Sequence, residues 1–288
     1  MATYQNVDKS GKGAQSSTAA LLSVVITLGL CSCSSSNFAG SSGSVPGKGT
    51  TTSPRATDPT KKDPAERKKP QSDAATGGQP LPAGCTKPYQ VPASANIWLA
   101  GVQDGTSLTY QIPDAQGRVY TTVDRAPAQN PVLVAEASQG CIVPGFGLTF
   151  SVTGQISHGG SAISDANGLS AEVTRHRNGG VLGKSDLQAP INGLIAVFLG
   201  DGDVSAQAVP AALDHASEAA RNQVEIAPAL GQVYFVGTGK VATGESRTVV
   251  VPAGATRLYF GIMDAYEWNN NTGGLTGAVV SAAIVDGP

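Results

Sequence analysis

From Asn96 to the C-terminus the chain is a series of short apolar and β-branched runs, each closed by glycine, proline, asparagine or aspartate. Runs this short suit strands better than helices, which need several turns to nucleate. The expected strands are Asn96 to Ala100, Pro131 to Ala135, Leu148 to Thr153, Leu169 to Thr174, Leu194 to Leu199, Val233 to Val236, Arg247 to Val251, Thr256 to Phe260 and Ala278 to Ile284. Leu148 to Thr153 alternates apolar and polar residues, as a half-buried antiparallel strand does. Thr248–Val251, Pro252–Ala255 and Thr256–Phe260 read as strand, turn and strand. Only Pro210 to Val224 favours helix, through its alanines and a proline suited to a first turn. No βαβ rhythm is visible. The expected fold is all-β, a β-sandwich of jelly-roll (galactose-binding-like) type with one short helical insertion. A trimmed β-barrel is the alternative.

The N-terminus reads differently. Ala19 to Leu30 is apolar except for Ser23 and Thr27, and Lys9 and Lys12 precede it. In charge and length it is a secretory signal, too short for a stable membrane span. Leu30-Cys31-Ser32-Cys33 resembles a bacterial lipoprotein signal. That pattern wants a small residue before the modified cysteine, which Ser32 supplies for Cys33. The resemblance implies acylation (palmitate among the chains) at Cys33 and anchorage to a bilayer. Ser34 in place of an aspartate favours the outer membrane over inner-membrane retention. Residues 33–84 are rich in Ser, Gly, Pro and Lys, with few apolar groups to offset the entropy of ordering them. The expected organisation is a signal over 1–32, a disordered tether over 33–84 and one folded domain over 85–288.

Lysine plus arginine number 19 against 21 aspartates and glutamates, and no basic face with interleaved aromatics occurs. Nucleic acid is therefore not an expected partner. Nothing in the sequence supports oligomerisation. Cys85 and Cys141 are expected to pair in an oxidising compartment, with two free buried thiols as the alternative.

The candidate chemistry lies in Gly261-Ile-Met-Asp-Ala-Tyr-Glu-Trp-Asn-Asn-Asn-Thr-Gly-Gly274. It gathers Asp264, three amides and several backbone carbonyls into one loop. Oxygen ligands of this kind suit a hard cation such as calcium. Taken alone, the same residues also suit a hairpin whose asparagines bond their own backbone.

Asp264, then Asn270-Asn271-Thr272-Gly273 leading into the last strand, resembles the small calcium-dependent galactose-binding lectin of Pseudomonas and its β-sandwich relatives. The resemblance covers Val251 to Ile284. It extends to Pro144 through His158, where Pro144-Gly145, an alternating strand and Gly154 precede the residue at a carbonyl-donor position. It implies calcium held by Asp264, Asn270 and Asn271 side chains and by backbone carbonyls near Glu267 and at His158. Two sugar hydroxyls would complete the shell. Asp264 and Asn271 would also meet the sugar, and Tyr266 or Trp268 would stack on its ring.

The chain departs from that lectin in a loop one residue shorter, in Tyr266 and Trp268 themselves, and in a longer stretch over Ser161 to Asp186. His176 and Gln188 are the candidate substitutes for the lectin's sugar-contacting His and Gln. Asp201 to Gln232 reads as an insertion.

The expected function is calcium-dependent binding of a galactose-type sugar or glycoconjugate by an exported, lipid-anchored protein of the bacterial envelope. The alternative is a surface adhesion domain in which calcium is purely structural. No Ser-His-Asp order, Gly-x-Ser-x-Gly elbow or His-Glu-x-x-His motif occurs, so no enzyme is expected.

Overall fold

The computed structural model describes residues 85–160 and 162–284. The signal, Cys33 and the tether lie outside the described residues.

The described chain is mostly β, in several open sheets with one short helix. In order it forms β1 (Thr86–Pro92), β2 (Ser107–Pro113), β3 (Val119–Arg125), β4 (Val132–Glu136), β5 (Phe146–Ser157), β6 (Leu169–Arg175), β7 (Leu187–Ile191) and β8 (Leu194–Leu199). There follow β9 (Leu213–Asp214), α1 (Glu218–Arg221), β10 (Glu225–Ile226), β11 (Val233–Phe235), β12 (Thr248–Val250), β13 (Arg257–Ile262) and β14 (Thr272–Ile284). One sheet runs β1-β14-β5-β12-β10 and a second β11-β8-β13-β4. Their pairings are antiparallel except β10 with β12. β2 and β3 form a hairpin, and β6, β7 and β9 a small third sheet. This strand order does not by itself show a jelly roll.

Facing side chains of the two larger sheets share one core. Leu148 and Phe150 of β5 and Val279 of β14 cluster with Ala196 and Phe198 of β8 and Phe260 of β13. Tyr89 and Phe150 meet the Phe260 ring edge-on, with centroids 4.9 and 5.3 Å away. β8 carries no polar residue because both its faces are covered. Ile195, Val197 and Leu199 enter a second cluster with Trp98, Tyr110 and Trp268. The β2–β3 hairpin therefore packs on the opposite side of β8 from the first core, and it brings the aromatic layer beneath the loop before β14.

Cys85 and Cys141 form a disulfide, with Cα atoms 5.3 Å apart. It joins the residue before β1 to the turn before β5 and marks an extracellular or periplasmic protein.

Two expected elements differ. Asn96–Ala100, expected as a strand, holds a 3-10 turn over Ile97–Leu99, because Asn96 Oδ1 accepts from the Trp98 N–H at 3.0 Å. That local bond outweighs the β propensity of Ile97 and Trp98. Of Pro210–Val224, expected as helix, only α1 is helical, capped by Ser217 Oγ on the Ala220 N–H at 3.1 Å. Leu213 is drawn into the β9–β7 pairing and into contact with the core, so tertiary contacts outweigh alanine's propensity.

Candidate functional site

Strand register builds the site. β5 and β14 pair from Ile284 opposite Phe146 to Thr272 opposite Ser157. The chain leaving β5, His158-Gly159, thus starts beside the chain entering β14, Asn270-Asn271. Near this end the two backbones approach so closely that a Cβ on Gly273 would lie 2.2 Å from the Gln155 carbonyl oxygen, and Gly273 has φ +96°. Only glycine fits both demands.

Asp264 follows β13 and opens the loop. Its Oδ1 accepts from the Ala265 N–H at 2.6 Å and the Tyr266 N–H at 3.4 Å, a turn that aspartate favours. Its Oδ2 accepts from Asn271 Nδ2 at 2.8 Å, which also lies 3.4 Å from the Ala93 carbonyl. Asn270 Oδ1 accepts from the Gly159 N–H at 3.2 Å, and its Nδ2 donates to Glu267 Oε2 at 3.3 Å. Glu267 sits at φ 64°, a left-handed conformation that a side chain resists, and starts a 3-10 turn over Trp268–Asn270. Its carbonyl accepts from the Asn270 N–H at 3.1 Å. Asp264, Glu267, Asn270, Asn271 and the end of β5 are thus brought together.

The His158 ring is held by Asn192 Oδ1 at 3.0 Å from Nδ1 and by Glu172 at 3.4 Å from Nε2. Asn192, buried at φ 67°, also reaches the Ile156 and Ala162 carbonyls and donates its N–H to Met263 O at 2.8 Å. It ties the end of β5 to the residue before Asp264. Sequence reading missed it, although Asn192-Gly193 between two apolar runs is a recognisable turn signal.

Asp124 was missed as well. It is fully buried on β3, and its Oδ2 accepts from Asn96 Nδ2 at 3.1 Å and the Trp268 N–H at 3.5 Å. Burial pushes its carboxyl up to about 6, with the Asp264 charge adding to the rise. Burial also raises the Asp264 carboxyl, against the pull of its hydrogen bonds and of His158. Among the described residues neither carboxylate forms an ion pair with lysine or arginine. Asp124 Oδ1 and Asn271 Oδ1 are buried and have no hydrogen-bond partner among the described residues. Two buried carboxylates beside one amide oxygen without a partner among the described residues, that of Asn271, fit a hard cation, which would offset the cost of burying their charge. Among the described residues no group of three or more His, Cys, Asp or Glu is placed to hold a metal ion, so an ion here would depend on amide and backbone oxygens as well as carboxylates.

Two expected sugar contacts are corrected. Trp268 is fully buried: its Nε1–H donates to the Ile262 carbonyl at 2.8 Å, and its ring lies against Trp98 and Tyr110, 5.7 and 6.2 Å between centroids. It anchors the loop to the second core and offers no open face. His176 is 2% exposed and stacks on Trp98 at 4.0 Å. Its ring nitrogens engage Gly179 O at 2.6 Å and Tyr110 Oη at 3.1 Å, and burial pushes its pKa down to about 4. It is a neutral core histidine near pH 7. Gln188 pairs with Arg175 in the β6–β7 ladder and accepts from its guanidinium at 2.5 Å. Tyr266 is half-buried and packs against the second core.

No known protein family, curated protein or solved structure matches the chain.

Proposed function

We propose that this domain is a calcium-dependent carbohydrate-binding module with a lectin-like β-sandwich, carried on an exported protein anchored through lipidated Cys33. The observation that carries the reading is the convergence of Asp264, Asn270 and Asn271 on the end of β5, with the Asn271 amide oxygen buried and without a hydrogen-bond partner among the described residues. Asp264, Asn270 and Asn271 side chains, with carbonyls at Glu267 and His158, would hold the ion. Bound calcium would supply coordination positions for two neighbouring hydroxyls of a galactose-type sugar. Asp264, already an acceptor of three hydrogen bonds, would also accept one from a bound hydroxyl. Asn192 would keep the β5 end in place, and Asp124 would add negative potential from beneath. Nothing in this arrangement requires bond cleavage.

A glycan array run with calcium and with a chelator tests the reading. Galactose-type glycans are expected to retain the protein only with calcium, and Asp264→Ala is expected to weaken calcium binding roughly 100-fold or more. Retention that survives both the chelator and Asp264→Ala would refute it. Calcium binding with no glycan signal would instead identify a structural ion in an adhesion domain.

A further inference from the structure

Helix α1, the turn before β6 and the segment between β11 and β12 line a cavity of about 560 Å³, and none of the proposed cation ligands lines it. That is the size of a small-molecule site. Side-chain bonds to backbone tie its walls together. Asn167 Oδ1 accepts from the Thr238 N–H at 3.0 Å, and Asn222 Oδ1 from the Ala242 N–H at 2.9 Å. Arg221 Nη1 donates to the His215 and Ala216 carbonyls, and Arg247 Nη2 donates to the Arg221 carbonyl. The same bonds decide the chemistry of the lining. Each asparagine has its oxygen engaged by a backbone N–H, so its Nδ2 donors remain. Arg221 Nε and Nη2 and Lys240 Nζ have no hydrogen-bond partner among the described residues. Arg247 adds a third positive charge: burial lowers its pKa only to about 10, so it stays cationic at pH 7. Among the described residues none of the three cations forms an ion pair with a carboxylate. Glu218 is the one carboxylate side chain in the lining. The positive field reaches buried His215: burial pushes its pKa down to about 4, with the Arg247 and Arg221 charges adding to the fall.

We infer that this cavity binds a small oxyanion, a phosphate or carboxylate compound, held by Arg221 and Lys240 with the Asn167 and Asn222 amides donating to its oxygens. A lining rich in donors and positive charge and poor in acceptors is complemented by a ligand of the reverse character. The planar fork of Arg221 suits two oxygens of one such group, and Lys240 adds a point charge. Arg247 is engaged by the carbonyls of Gln223, Phe235, Val236 and Arg221, so it supplies charge rather than contact. Glu218 opposes the anion and weakens the hold. The inference is independent of the carbohydrate reading, because the two sites share no residue.

The test is calorimetry on the full chain with inorganic phosphate and with citrate, after a chelating resin has removed metal, since both anions bind calcium. At least one is expected to bind with a Kd of about 1 mM or tighter at low salt, and more weakly as salt rises. Binding of phosphate alone or of citrate alone supports the site and identifies the group it recognises. Lys240 is exposed, so its replacement leaves the fold intact. Lys240→Glu is expected to lose about tenfold or more in affinity, and Lys240→Arg, which keeps the charge, to stay within about threefold. Glu218→Gln is expected to bind about threefold more tightly, a gain that damage to the fold would not produce. Neither anion binding at about 10 mM would overturn the inference. So would Lys240→Glu binding as tightly as the unaltered protein, because the anion would then sit elsewhere.

Discussion

Arg247 and Asp264 are both buried ionisable groups, 2% and 5% exposed, and their surroundings differ in kind. The Arg247 guanidinium donates to the carbonyls of Gln223, Phe235, Val236 and Arg221, and it lies 5.5 Å from the Phe235 ring centre. Its charge is held by backbone that the fold itself supplies, and it fastens the 221–236 segment to the strand beginning at Thr248. Asp264 shares its surroundings with a second carboxylate, Asp124, and their hydrogen-bond partners are neutral amides and N–H groups. Two acceptors there have no partner among the described residues. A buried charge saturated by backbone is accounted for by architecture. A pair of buried carboxylates that no lysine or arginine among the described residues pairs with calls for a proton or a metal ion.

Two substitutions separate these regions, the larger effect first. Arg247→Met should destabilise the domain by about 3–5 kcal/mol, because it leaves buried carbonyls unpaired. Urea unfolding measures that loss. Calorimetry on the folded fraction should show unchanged calcium affinity, and a fall there would mean that the two regions are coupled.

Asp124→Asn should act through pH. The folded Asp124 carboxyl is raised from 3.8 to about 6, so the folded state binds its proton more tightly than the unfolded chain. Its contribution is therefore favourable at low pH and is lost as pH rises from about 4 to about 6. In chelator, the unaltered protein should lose on the order of 2–3 kcal/mol across that window relative to Asp124→Asn. Parallel stability curves for the two proteins would show that Asp124 carries no such strain.

Much of the strand pattern could be read from sequence, since β5, β8 and β13 carry alternation or dense apolar runs that local chemistry dictates. The β2–β3 hairpin was overlooked although Ser107-Leu-Thr-Tyr-Gln-Ile-Pro113 alternates strictly and Asp114 to Gly117 supplies a turn. Nothing local announces where it docks. The same limit divides the site. Asp264, Asn270 and Asn271 were legible because one loop holds them. Asp124 was not, because it meets Trp268 across 144 residues of sequence. Trp268 looked exposed among asparagines, yet the left-handed Glu267 and the 3-10 turn after it carry the indole into the core.

We propose that the loop before β14 and the end of β5 form one cation site open to sugar. A crystal structure of the protein grown with calcium and methyl β-galactoside tests it most directly. The expected result is an ion about 2.3–2.6 Å from oxygens of Asp264, Asn271 and the His158 carbonyl, with two sugar hydroxyls completing its shell. Crystals that contain calcium while Asn271 still donates to Asp264, with no ion between β5 and this loop, would contradict it.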